Sequence, residues 1–260
     1  MKERVSASAL VAVLAFAAGA ASAPVTKGLT FALSFDGNGR AVTVGPYALK
    51  VPGTKGAVKV SFDSAALTGG MLDAPIRLTN ESGADLLAVR VNLAGVTESV
   101  RPAGAPAFTR PQDVAPPPPL AWDRIASGAE TPAGLFRGGP LTFSPETEGV
   151  VVLGVVSGLA AEPVDRSRDV ITPATKASAC PGQPRGCRVD ADGNVWRLEQ
   201  AAVGRRGGLS EHGPEGGFVR SLRFEEGAKP VDLGLAQDGR LLVLFEDGSK
   251  EGSVRVFRPF

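Results

Sequence analysis

The chain has 260 residues, with 33 Gly, 21 Pro, one His and 28 Lys plus Arg against 27 Asp plus Glu. So even a charge balance excludes a general electrostatic grip on nucleic acid or on an anionic membrane. A single histidine excludes a multi-histidine zinc centre within one chain.

Residues 1–23, MKERVSASALVAVLAFAAGAASA, have the pattern of a secretory signal peptide: charged Lys2 and Arg4, an apolar run from Ala9 to Ala18, then small residues. The run is shorter than the roughly 20 apolar residues that span a bilayer, so no stable membrane insertion is expected after cleavage. Cleavage after Ala20, Ser22 or Ala23 fits the small-residue pattern, although Pro24 disfavours the last. Without Lys2, Glu3 and Arg4 the acidic and basic residues balance at 26 each. The expected location is secreted or periplasmic.

Beyond the leader, abundant Gly and Pro and the scarcity of helical periodicity predict an all-β chain of short strands and tight turns. In TFALSF, Phe31, Leu33 and Phe35 alternate with smaller residues and share one strand face. DGNGR at 36–40 supplies a turn and AVTV returns, making a hairpin. AVKVSF repeats the alternation with Val58, Val60 and Phe62. APIRLTNESGADLLAVRVNL reads as two strands about a turn, with Ile76 and Leu78 on one face of the first and Leu87, Val89, Val91 and Leu93 on one face of the second.

These strands, a strand ending in Asn, a short Ser-Gly-Asp connection and a long alternating strand, resemble bacterial immunoglobulin-like or fibronectin-like β-sandwich modules of exported proteins. PLTFSPETEGVVVLGVV at 140–156 is similar to their late strand pair. The resemblance spans about residues 25–165 and implies an immunoglobulin-like β-sandwich. The antibody-type Cys, Trp, Cys arrangement is absent from that span. The proline-rich segment 102–119, ending in four consecutive prolines, lies inside it and reads as an exposed insertion or linker, with a proline-rich ligand as the alternative. Trp122 follows directly. An aromatic there either plugs a core edge or binds a ligand such as a sugar.

Residues 166–177 read as a linker. Beyond them, Cys180 and Cys187 in ACPGQPRGC lie in a Pro/Gly-rich loop, where an oxidising compartment favours a disulfide that pins the loop. CRVDADGNVWRLEQ and LGLAQDGRLLVLFED then align Asp192-Gly193 on Asp238-Gly239, each reading as strand, turn, strand. With GFVRSLRF between and GSVRVFRPF after, this region is similar to blades of NHL-type β-propellers. About 80 residues hold fewer than two blades of ~40–50 residues, and closure needs at least four, so a small blade-like antiparallel sheet is expected over 178–260.

Asp190, Asp192 and Asn194 begin a calcium-loop pattern, which wants Gly at position 6 and Glu at position 12. Those positions hold Val195 and Ala201. An Asp-Gly hairpin turn is therefore expected, and no metal or other cofactor. His212 sits in the Gly-rich GLSEHGPEGG, with Ser210 and Glu211 too close in sequence to form a relay easily. No P-loop or dinucleotide fingerprint is present, while a carboxylate pair for glycoside hydrolysis leaves no local signature. The favoured function is non-enzymatic binding or assembly in the envelope or outside the cell, with an envelope protein or glycan as partner. The alternatives are a carboxylate-pair hydrolase acting on carbohydrate and a structural subunit of a surface layer or appendage. The terminal SVRVFRPF is expected to be a sheet edge with Val254 and Val256 facing the core and Phe257 facing outward.

Overall fold

The computed structural model describes residues 28–100, 106–107, 120–139, 147–163, 180, 186–200, 206–246 and 252–260. The leader, the linker and all of the proline-rich segment except Pro106 and Ala107 lie outside them. The described chain is all-β and its strands run, in order, β1 (Leu29–Asp36), β2 (Ala41–Thr43), β3 (Tyr47–Lys50), β4 (Ala57–Phe62), β5 (Ala66–Thr68) and β6 (Met71–Asn80). Next come β7 (Leu86–Val100), β8 (Pro106–Ala107), β9 (Leu120–Ile125), β10 (Gly134–Gly138) and β11 (Thr147–Glu162). The remainder holds β12 (Cys187–Val189), β13 (Val195–Glu199), β14 (Gly208–His212), β15 (Phe218–Arg223), β16 (Lys229–Leu235), β17 (Leu241–Glu246) and β18 (Ser253–Pro259). Among the described residues no helix is long and apolar enough to cross a membrane.

Period-2 alternation decides which side chains are inside. On β1, Phe31, Leu33 and Phe35 are buried and the residues between them are not. Val58 and Val60 on β4 and Ile76 and Leu78 on β6 follow the same rule. The strands assemble into three antiparallel sheets. The nine-stranded sheet runs β16-β17-β18-β11-β1-β2, with β7 on the other side of β11 and carrying β8 and β9. A five-stranded sheet is built on β6, with β10 on one side and β4 and then β3 on the other, and β5 also pairs with β6. The third is a four-stranded meander, β12-β13-β14-β15.

Two hydrophobic cores lie on opposite faces of the nine-stranded sheet. The first gathers β1, Val150, Val152, Val156 and Ala160 of β11 and Leu86, Val89 and Val91 of β7 against the five-stranded sheet, around Phe31, Phe62 and Phe136. The second gathers Leu159, Ala88 and the inner residues of β16, β17 and β18 against Trp196, Leu209 and Leu222 of the meander. Strands β7 and β11 thus serve both. The switch of face on β7 occurs at Ala88, whose φ of 48° marks a bulge where the register against β11 shifts. Leu87 consequently turns to the second core, away from the face shared by Val89 and Val91.

The C-terminal strand corrects the expectation of a free edge. β18 is central, paired with β17 along one side and with Leu159–Glu162 of β11 along the other. It occupies the side of β11 that β1 uses farther back, and the two meet at Gly158, which exchanges backbone hydrogen bonds with Phe260. The facing differs in part from the expectation. Val256 is buried as expected, but Phe257 is buried too, in the second core, and Val254 is 37% exposed. Successive residues of a strand point to opposite faces, so the burial of both Val256 and Phe257 means that both faces of β18 are covered there.

Candidate functional site

Asp190 sits at the hairpin between β12 and β13. Its Oδ1 accepts hydrogen bonds from the backbone N–H groups of Asp192 and Asn194, both at 2.9 Å. Its Oδ2 accepts from Asn194 Nδ2 and from the indole Nε1 of Trp196, both at 3.2 Å. Four donors aimed at one carboxylate hold a turn and a buried tryptophan in place. Gly193 has φ of 84° and donates to the Asp190 carbonyl, so the stretch closes as the expected turn. No group of three or more His, Cys, Asp or Glu with metal-binding geometry occurs among the described residues.

Trp122 lies on β9 opposite Val89 and packs, half-buried, against the first core. Cys180 and Cys187 are within disulfide distance, Cα to Cα 5.6 Å, which fits an oxidising compartment. His212 ends strand β14 and does not occupy a loop. Its ring meets Phe218 edge-on at 5.9 Å.

The arrangement that sequence reasoning missed lies on β14 and β15. Cross-strand pairing lines up Trp196, Glu211 and Arg220 across the meander, next to the row Leu198, Leu209 and Leu222. Glu211 and Arg220 therefore project into the interior, with side chains 6% and 1% exposed, and Arg220 Nε donates to Glu211 Oε2 at 2.6 Å. The two outer nitrogens of Arg220, Nη1 and Nη2, are buried with no hydrogen-bond partner among the described residues. Such a guanidinium cannot shed its proton, and leaving its donors unmet costs several kcal/mol.

A second arginine joins it. β15 packs on β7, and the half-buried Arg90 lays its guanidinium over the Phe218 ring, 5.2 Å from the centroid. Burial first and then the positive charge of Arg220 hold the Arg90 guanidinium below the usual arginine value. Phe218, 56% exposed, forms the solvent side of the group. The signal was present in the sequence as parity. Arg220, Leu222 and Phe224 alternate, which puts one charge in phase with inward apolar residues, and Glu211 follows Leu209 in the same phase on the neighbouring strand.

Elsewhere, acids are engaged with the scaffold. Glu162 bridges Arg240 and Arg258, and Asp85 holds Arg124 and the Ser127 N–H. The carboxyls that shift do so downward. Glu225 is lowered by its hydrogen bond to Arg255, and for Asp238 the upward push of burial is overcome by the Arg240 N–H and the charges of Arg240 and Arg258. Comparison with family models, with curated proteins and with solved structures finds no match to this chain.

Proposed function

We propose that the chain is an exported, non-enzymatic binding or assembly protein of the bacterial envelope or extracellular space, its ligand an envelope protein or glycan. In this reading the first core and its two sheets are an immunoglobulin-like module, and the meander β12–β15 is a blade-like sheet added to it. The supporting observation is the division of labour between charges. Carboxylates such as Asp190, Glu162 and Glu211 are spent on holding strands and turns, whereas Arg90 and Arg220 keep binding capacity. A general acid in glycoside hydrolysis needs a carboxyl held above its ordinary value, opposite to the shifts of Glu225 and Asp238. Export is supported by the leader pattern and by the cysteine pair.

The test uses the mature, oxidised chain immobilised beside a blank surface, with envelope extract and purified cell-wall glycans passed over both, and a glycoside hydrolase substrate panel run in parallel. Specific capture without turnover is the expected result. Reproducible turnover that disappears when one carboxylate is replaced by its amide overturns the reading in favour of the hydrolase.

A further inference from the structure

We propose that the seam between β7 and β15 binds a carboxylate group of the ligand, gripped by Nη1 and Nη2 of Arg220 and by Arg90, with Phe218 as the platform for the ligand's body. The inference rests on the binding-protein reading and deepens it by assigning the place and the chemistry.

The starting point is a buried charge that the fold satisfies only in part. Position 220 lies beside inward Leu209 and Leu222, where an apolar pair at 211 and 220 would pack without the desolvation cost of two charges. Instead it carries a guanidinium whose Nε is satisfied by Glu211 and whose two Nη atoms are buried and unpartnered. Those two nitrogens form the end of a planar fork, and a carboxylate offers two oxygens at matching spacing for a bidentate pair.

Arg90 supplies the second cation. Among the described residues it has no acidic partner, and its guanidinium lies over the Phe218 ring. A bulge opposite His212 breaks the alternation between Phe218 and Arg220 on β15, and Arg90 links the two from β7, lying over the Phe218 ring and near enough to Arg220 to feel its charge. Arg90 and Phe218 form the outer part of the group, and Arg220 its buried floor. Two guanidiniums beside one contacting carboxylate, Glu211, leave a single positive charge to be met. A carboxylate ligand, with one negative charge, meets it; a phosphate monoester, near two at neutral pH, overshoots.

The experiment measures affinity by titration calorimetry on the mature, oxidised chain at fixed ionic strength. The probes are glucuronate for an acidic sugar, a short N-acetylated peptide with a free C-terminus for a peptide source, glucose and the peptide amide as neutral counterparts, and inorganic phosphate. A carboxylate probe is expected to bind at least about tenfold more tightly than its neutral counterpart. Whichever carboxylate binds more tightly identifies the source. Arg220→Met and Arg90→Gln should each weaken it about tenfold or more, and Arg220→Lys should not restore it, because a point charge lacks the fork. Arg90 is half-buried, so Arg90→Gln keeps the test decisive if the Arg220 variants do not fold. Equal binding of charged and neutral probes, or no loss in folded Arg90→Gln, overturns the site; tighter binding of phosphate overturns the carboxylate assignment. Envelope capture that persists after either result leaves the binding-protein reading standing and removes only this site.

Discussion

Glu225 and Arg255 show how a single side chain works here. Arg255 stands over the Phe245 ring at 4.5 Å and forms an ion pair with Glu225. The hydrogen bond from Arg255 lowers the Glu225 pKa below its ordinary value. A depressed carboxyl contributes stability that is present above its unfolded pKa and is lost as pH falls through the folded one. Both side chains are about half exposed, so solvent screening keeps the contribution small. Arg255→Met should therefore move the Glu225 titration upward toward an ordinary glutamate, read by NMR, with little change in stability at neutral pH. An unmoved titration would show that the ion pair is not the cause. At this scale the sequence discloses local chemistry better than distant partners. The Asp190 turn is legible because Asp-Gly geometry is local. Its bond to the Trp196 indole, and the meeting of Arg90 with Arg220, depend on which strands pair, and nothing within a few residues specifies that.

Among the elements, turns were the most legible part of the fold. Four five-residue stretches, DGNGR at 36, DADGN at 190, GPEGG at 213 and AQDGR at 236, close with one hydrogen-bond pattern. In each the first residue's N–H donates to the fifth residue's carbonyl, and the fourth-position Gly donates back to the first. That Gly always has positive φ, between 76° and 84°. This is the geometry of a type I turn followed by a left-handed residue. Gly239 has open space around it, so Gly239→Ala should cost only the left-handed penalty of about 1–2 kcal/mol. At Gly39 a Cβ runs into the Leu67 carbonyl, so Gly39→Ala should add roughly 1–3 kcal/mol of overpacking. Urea denaturation of both variants checks the order, and equal losses would refute it. Strand facing was less legible than turns. The alternation of β7 fails at Ala88 because a bulge inserts one residue. On β18 alternation predicts one buried face, whereas Val256 and Phe257 are both buried, and only the neighbours that cover the strand decide that.

At the scale of the whole molecule, the all-β class was readable from composition and alternation, but the joining of its parts was not. The long strands β7 and β11 each present residues of one face to the first core and of the other face to the second, and β18 is stitched onto β11 between residues 159 and 162. The last residues reach both cores: Phe257 belongs to the second, and Phe260, three positions on, to the first, its ring lying close over Gly158 of β11. Continuous sheet hydrogen bonding of this kind predicts that the two cores unfold together. The chain carries its own reporters, since of its two tryptophans Trp122 packs on the first core and Trp196 is buried in the second. Trp122→Phe and Trp196→Phe each leave one reporter, and urea transitions followed by fluorescence in the two variants should have equal steepness. Phe260→Ala removes a large buried ring from the first core and should cost about 3–5 kcal/mol. Introduced into both single-tryptophan backgrounds, it should shift the Trp122 and Trp196 transitions to lower urea by the same amount, because loss of the seam at Gly158 is felt through β11 on both faces. A shift confined to Trp122 would mean that the two cores are independent folding units joined only in geometry, and that the pairing of β11 with β18 carries no cooperativity.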